Sequence, residues 1–343
     1  MDLIRNAYHR LLLVPGVPLL FRYARSNYAT VFMMHRFTNS DRGIEGFDPG
    51  QLRKGLDYLR RNKYELLSLE DLFSRLAGNG PVLNGAVVFT IDDGYIDHAE
   101  IAAPIFAEFD CPVTTFVTTG FLDGQLWMWW NKIEFIFLNT DHRSADVCLG
   151  GDTFRYDLKC HEDVIAAQQD FVARCKFLED EEKLKAIACF AESAEVDLPA
   201  SPPAMYEPMS WDDARSCERK GMTFGPHTVT HPVLSRTTFE RAEWEINESW
   251  RRLCEEVRSP VPVFCYPNGQ WPDFGSREIE IFRKIGLSGS VVGEPGFADP
   301  ITFRRDNDEP YKLRRMSYPD THSDLIQYVC GIERCKQLMR CRT

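Results

Sequence analysis

No stretch of this 343-residue chain reaches the ~20 consecutive apolar residues that a helix needs to cross a bilayer. Positive charge is also in short supply: 40 Lys and Arg stand against 51 Asp and Glu, a net charge of −11. Phosphate contacts require clustered Lys and Arg, so nucleic acid is not an expected partner. There is no CxxC pair, no internal repeat and no low-complexity tract. The 11 cysteines are odd in number, and a chain this long needs no disulfide staples. They read as reduced thiols in a cytoplasmic protein, with Cys189 and Cys265, each in an apolar run, as core residues. What is present is an ordinary globular composition, 44% hydrophobic and 27% charged, which excludes a disordered or fibrous chain.

The N-terminus carries an apolar run, Leu11 to Phe21, behind Arg5 and Arg10. It resembles a signal peptide, but Pro15 and Pro18 break it, Arg22 and Arg25 follow it, and no A-x-A site is evident. Leu3, Ile4, Ala7, Tyr8, Leu11 and Leu12 recur at helical spacing. The preferred reading is a short helix in an extension over residues 1–29, packed on the domain. Peripheral membrane contact through residues 1–25 is the alternative.

From residue 30 onward strands and helices alternate. Thr30–Met34, Tyr64–Leu67, Ala86–Ile91 and Val113–Val117 read as strands, the third as a continuous buried run. Asp48-Pro49 and Ser68 open helices. The alternation breaks over about 121–208. There Trp127, Trp129 and Trp130 precede a helix, a hairpin forms around Gly150-Gly151, and two polar amphipathic helices follow. This segment reads as an insertion, a cap beside the mouth of the main fold. The tryptophans suit either sugar stacking or core packing. Alternation then resumes with Met222–Gly225, a long helix over Thr237–Val257, Val263–Tyr266 and Leu287–Val292. The pattern predicts an α/β fold with a parallel sheet, closed or nearly closed.

Three clusters follow strands. Asp92 and Asp93, in Thr90-Ile91-Asp92-Asp93-Gly94, end a buried strand, where α/β barrels place their chemistry. Adjacent residues there can point differently and divide their labour; a plain helix cap is the alternative. His227 and His231 stand four apart after Met222–Gly225, on one helical face or one wall of a loop. A carboxylate with two neutral imidazoles is a recognised open catalytic metal set. The third cluster, Cys265-Tyr266-Pro267-Asn268-Gly269, is on its own an ordinary turn.

Together and in this order the clusters resemble the polysaccharide deacetylase family, the NodB-homology carbohydrate esterases. TIDDG resembles the family's TFDDG, His227-Thr228-Val229-Thr230-His231 its H-[ST]-x-x-H, and Cys265-Tyr266-Pro267-Asn268 in part its R-x-P-[YF]. Phe116 to Phe121 resembles its FVTTGF stretch. The resemblance spans roughly residues 30–320. It implies a distorted (β/α) barrel, interrupted by the inserted, mostly helical segment read above at about 121–208; a C-terminal helix is expected within 321–343. It also implies one divalent metal ion, zinc in the first place, held by Asp93, His227 and His231. Asp92 would be the general base and the backbone N–H of Asn268 an oxyanion donor.

Two departures stand out. The third-motif Arg that orients the base is Cys265 here, with Arg304 or Arg305 as candidate substitutes. The later Leu-x-His that supplies a general acid is absent; Leu313-Arg314-Arg315 stands there. A subgroup acting on poly-N-acetylglucosamine carries an early YHxI-like motif with the acid histidine. Met33-Met34-His35-Arg36-Phe37 resembles it, so His35 is the candidate acid, with a structural strand-end histidine as the alternative. His98 and His322 read as surface residues. The expected activity is metal-dependent removal of an N-acetyl group from an amino sugar in a glycan or glycan precursor. The alternatives are hydrolysis of another C–N bond, a formamide or cyclic amide, or a carbohydrate-binding pseudoenzyme.

Overall fold

The computed structural model describes residues 27–149 and 151–340. The N-terminal helix and its membrane contact fall before residue 27 and so lie outside the described residues. No described helix is long and apolar enough to cross a membrane.

In chain order the strands are β1 (Ala29–Met34), β2 (Ala86–Asp93), β3 (Val113–Val117), β4 (Ser144–Leu149), β5 (Asp152–Asp157), β6 (Met222–Pro226), β7 (Val263–Cys265), β8 (Gly289–Val291) and β9 (Met316–Ser317). Five of them form a parallel sheet in the order β6-β3-β2-β1-β9, and β7 and β8 pair in parallel separately. Isolated bridges stitch the two sheets on both sides, Phe224 with Pro260 ahead of β7 and Val291 with Leu313 ahead of β9. The result is the expected distorted barrel, with ladders that are not continuous around the ring.

The central strand β2 is buried along its whole length, as its β-branched run requires. Its side chains alternate. Ala86 and Val88 join an inner core with Val31, Phe116, Val263, Cys265 and Val291. Val87, Phe89 and Ile91 join an outer core against the helices. Those helices start where their caps dictate: Asp48 accepts from the Gln51 N–H to begin Pro49–Arg61, and Ser68 from the Asp71 N–H to begin Leu69–Ala77. Each then turns a leucine-rich stripe inward.

Between β3 and β6, a helix over Trp129–Asn139, the antiparallel β4–β5 hairpin and helices over His161–Cys175 and Asp180–Ser193 enclose their own core around Ile133, Ile136, Phe137, Phe171 and Phe190. Trp129 and Trp130 open the first of these helices rather than preceding it. Tyr64–Leu67 forms no ladder; Leu66 makes a single bridge to Val87. Cys265 is buried as expected, but Cys189 is exposed, because it sits on the solvent side of an amphipathic helix whose buried residues are Ala186, Ile187 and Phe190. His98 is not a surface residue. It is fully buried under the loop that follows β1. His322 is half-buried, edge-on to Tyr58.

Candidate active site

Strand parity explains how two neighbouring aspartates part company. Thr90 and Asp92 continue the inward-facing series of Ala86 and Val88, so the Asp92 carboxylate enters the barrel interior. There it meets Arg315 in a bidentate pair, Nη1 to Oδ1 at 2.7 Å and Nη2 to Oδ2 at 2.8 Å. Asp93 then leaves the strand geometry at φ 88°, a conformation that costs a non-glycine residue about 1–3 kcal/mol, and Gly94 continues at φ 97°. The turn takes the Asp93 carboxylate to the two histidines. Its Oδ1 lies 3.6 Å from His227 Nε2 and 3.5 Å from His231 Nε2, and those two nitrogens are 3.1 Å apart.

His227 and His231 sit on a loop, not a helix. Thr228 and His231 both have positive φ, and the Thr228 hydroxyl accepts the His231 N–H at 3.0 Å. Two other elements hold this loop. Glu245, fully buried on the helix Phe239–Glu256, accepts the N–H groups of Val229 and Thr230 at 2.7 and 2.9 Å. From the FVTTGF stretch, Thr119 N–H donates to the Thr228 carbonyl and Gly120 N–H to that of Val229. A Cβ on Gly120 would stand 2.7 Å from the Val229 oxygen, so the motif's glycine is required for this close approach. His227 Nδ1 donates to the Cys265 carbonyl at 2.7 Å, which leaves its Nε2 lone pair facing Asp93.

The donors of Asp93, His227 and His231 all lie within 4.8 Å of one another and are buried. One carboxylate and two imidazoles suit a divalent cation with open positions. The electrostatics agree. Burial would raise the Asp93 carboxyl, but the imidazoles of His227, His35 and His231 around it hold it well below the usual range. Burial and the neighbouring His227 push His231 down. Two ring nitrogens at 3.1 Å cannot both carry a proton.

Arg315 replaces the missing third-motif arginine; Arg304 and Arg305 do not. Arg304 donates to the Leu76 and Arg75 carbonyls and Arg305 pairs with Glu309, both away from Asp92. Arg315 is fully buried. Beyond Asp92 it donates to Thr90 Oγ1, to the Val292 carbonyl and to Cys265 Sγ at 3.2 Å. The thiol at 265 is small enough to admit a guanidinium arriving from the residue just ahead of β9. Burial tends to raise the Asp92 pKa, but Arg315 outweighs it and keeps the carboxylate below its ordinary value, so Asp92 is ionised at neutral pH.

His35 directly follows β1, half exposed, with Nε2 3.9 Å from Asp92 Oδ2. Asn268, at φ 58°, borders the same space, and its Nδ2 is buried without a partner. All six predicted site residues line one cavity of about 520 Å³. The segment 129–176 builds its far wall with Trp129, Trp130, Asn131, Glu134, Gln168 and Gln169. Trp130 lies edge-on to His231, ring centroids 4.6 Å apart, and donates to the Tyr95 hydroxyl, which in turn donates to Asn131.

Sequence reasoning gave no role to Arg315, Glu245 or Asp97 and placed His98 on the surface. Only Glu245 left a visible trace, as a charge within the apolar stripe Ala242, Ile246, Leu253 of its helix.

A polysaccharide deacetylase family model matches residues 169–287, a stretch that holds His227, His231 and Asn268 but not Asp92 or Asp93. No curated protein matches the chain. Three solved structures are similar to it. One is the Streptococcus pyogenes deacetylase PplD in complex with acetate: 15% identity, TM-score 0.54, 89% of this chain and 99% of that one. Another is IcaB from Ammonifex degensii: 16%, 0.53, 89% and 97%. The third is a de-N-acetylase from Aggregatibacter actinomycetemcomitans: 13%, 0.53, 88% and 100%. At such identity they show a common fold. On that fold, the family match over residues 169–287 indicates a hydrolase acting on carbon–nitrogen bonds other than peptide bonds. Within that class, match and fold bear out the resemblance to the NodB-homology polysaccharide deacetylases.

Proposed function

We propose that the chain hydrolyses the N-acetyl amide of an amino sugar in a glycan or glycan precursor, using one divalent ion, zinc, held by Asp93, His227 and His231. The observation that carries this reading is the pairing of a cation-binding triad with an ionised carboxylate, Asp92, fixed beside it by Arg315 at the floor of one cavity. When bound, the ion supplies positive charge that acidifies water and polarises a carbonyl. Asp92 takes the proton from the attacking water, and Arg315 keeps its carboxylate aimed at the site. The Asn268 N–H donates to the developing oxyanion, and His35 gives a proton to the departing amine. Amide side chains both donate and accept, so Asn131, Gln168 and Gln169 suit sugar hydroxyls, and the tryptophans suit a sugar face. A place in the cytoplasm belongs to the same proposal and rests on cysteine use.

A pseudoenzyme reading draws on the missing third-motif arginine and the missing Leu-x-His acid; Arg315 pairs with Asp92 in place of the first, and His35 is the proposed acid in place of the second. Turnover separates the remaining alternatives. The zinc-loaded chain should release acetate from N-acetylglucosamine oligomers and leave formamides and cyclic amides intact. Turnover of only the latter would move the activity to another C–N bond, and turnover of none would favour the pseudoenzyme.

A further inference from the structure

Directly after the catalytic-motif strand, Asp97 and His98 are both completely buried, and the chemistry above uses neither. Both are directed at the three residues that follow β1. His98 Nε2 bonds the carbonyl of His35. A carbonyl only accepts, so Nε2 carries a proton, while Nδ1 is buried and unpartnered, which suits the neutral tautomer. Burial also lowers the His98 pKa, which favours that neutral form. Asp97 accepts the Phe37 N–H at 2.6 Å and Arg36 Nε at 3.0 Å. Arg36 in turn lies 3.9 Å over the Tyr95 ring and donates to the Met205 carbonyl at 2.7 Å. Every residue of 35–37 is therefore gripped from behind by the pair, and the side chain on the open face of that loop is His35.

A buried carboxylate and a buried imidazole are expensive to keep, and here both are spent on the backbone and flank of one loop. We propose that Asp97 and His98 are positioning residues that hold His35 against the Asp92 carboxylate and so couple the TIDDG strand to the proton donor. The inference rests on the reading of His35 as the acid. It ties the two halves of the proton transfer to one short stretch of chain, because Asp97 and His98 follow Asp92 by five and six residues, just past the end of β2.

The test is a double-mutant cycle. His98→Leu removes the donor and keeps the bulk; His98→Gln restores an N–H near the Nε2 position. In zinc-loaded protein, His98→Leu should lower kcat ~10- to 10²-fold with KM within about twofold, since small misplacements cost this much. His98→Gln should recover most of it. In a His35→Ala background His98→Leu should add almost nothing, because both act through one side chain. Equal, additive losses in the two backgrounds would overturn the positioning role. A crystal structure of His98→Leu with residues 35–37 unmoved would overturn it whatever the activity. An undiminished kcat in His35→Ala alone would instead remove the acid assignment on which the inference stands.

Discussion

Asp92 and Asp93 are chemically identical neighbours with different fates, one inside the barrel on Arg315 and one turned to the imidazoles by a positive φ. Asp93→Asn should abolish metal binding and activity together. Asp92→Asn should keep the metal, measured by elemental analysis, and lose ~10²–10⁴-fold in kcat. Loss of metal in both would refute the division. Arg315→Met strands a buried carboxylate, so it should lower unfolding stability by about 3–5 kcal/mol in denaturant titrations, well beyond an exposed ion pair. His35→Ala should lose ~10²-fold in kcat while retaining metal. The motif residues were legible because their spacing is local. Arg315 was not: it lies 223 positions from Asp92, and nothing in its own surroundings separates it from the other 39 basic residues. His98 escaped for a similar reason, since its burial depends on the β1 loop folding over it.

Among the elements, the helix Trp129–Asn139 and the helix His161–Cys175 supply the far wall of the cavity. Strand positions were readable from β-branched runs and helix starts from Asp48 and Ser68, all local signals. That the second helix turns Gln168 and Gln169 to the cavity was not readable, because amides at a helix surface look the same whether they face solvent or substrate. Gln168→Ala with Gln169→Ala should raise KM for the true substrate about 5- to 150-fold with little change in kcat, at ~0.5–1.5 kcal/mol for each of two hydrogen bonds. Trp130→Ala should weaken metal affinity ~10-fold by removing the ring that packs against His231, as loss of a ligand's supporting neighbour does. Unchanged affinity in a calorimetric titration would reduce Trp130 to packing between the insertion and the barrel.

At the scale of the whole molecule, β1, β2, β6 and β7 each end at the cavity, and their exits deliver His35, Asp92 and Asp93, the histidine loop and Asn268 to one place. Parallel strands put all these exits on the same face, so the site follows from topology once the strand order is fixed. The central claim is that this face performs metal-dependent deacetylation. Its most direct test is acetate release from N-acetylglucosamine oligomers by the chain after chelation and again after zinc is returned. The account predicts silence after chelation and recovery that saturates at one zinc per chain. Acetate release unaffected by chelation, or none with one zinc bound, would contradict it.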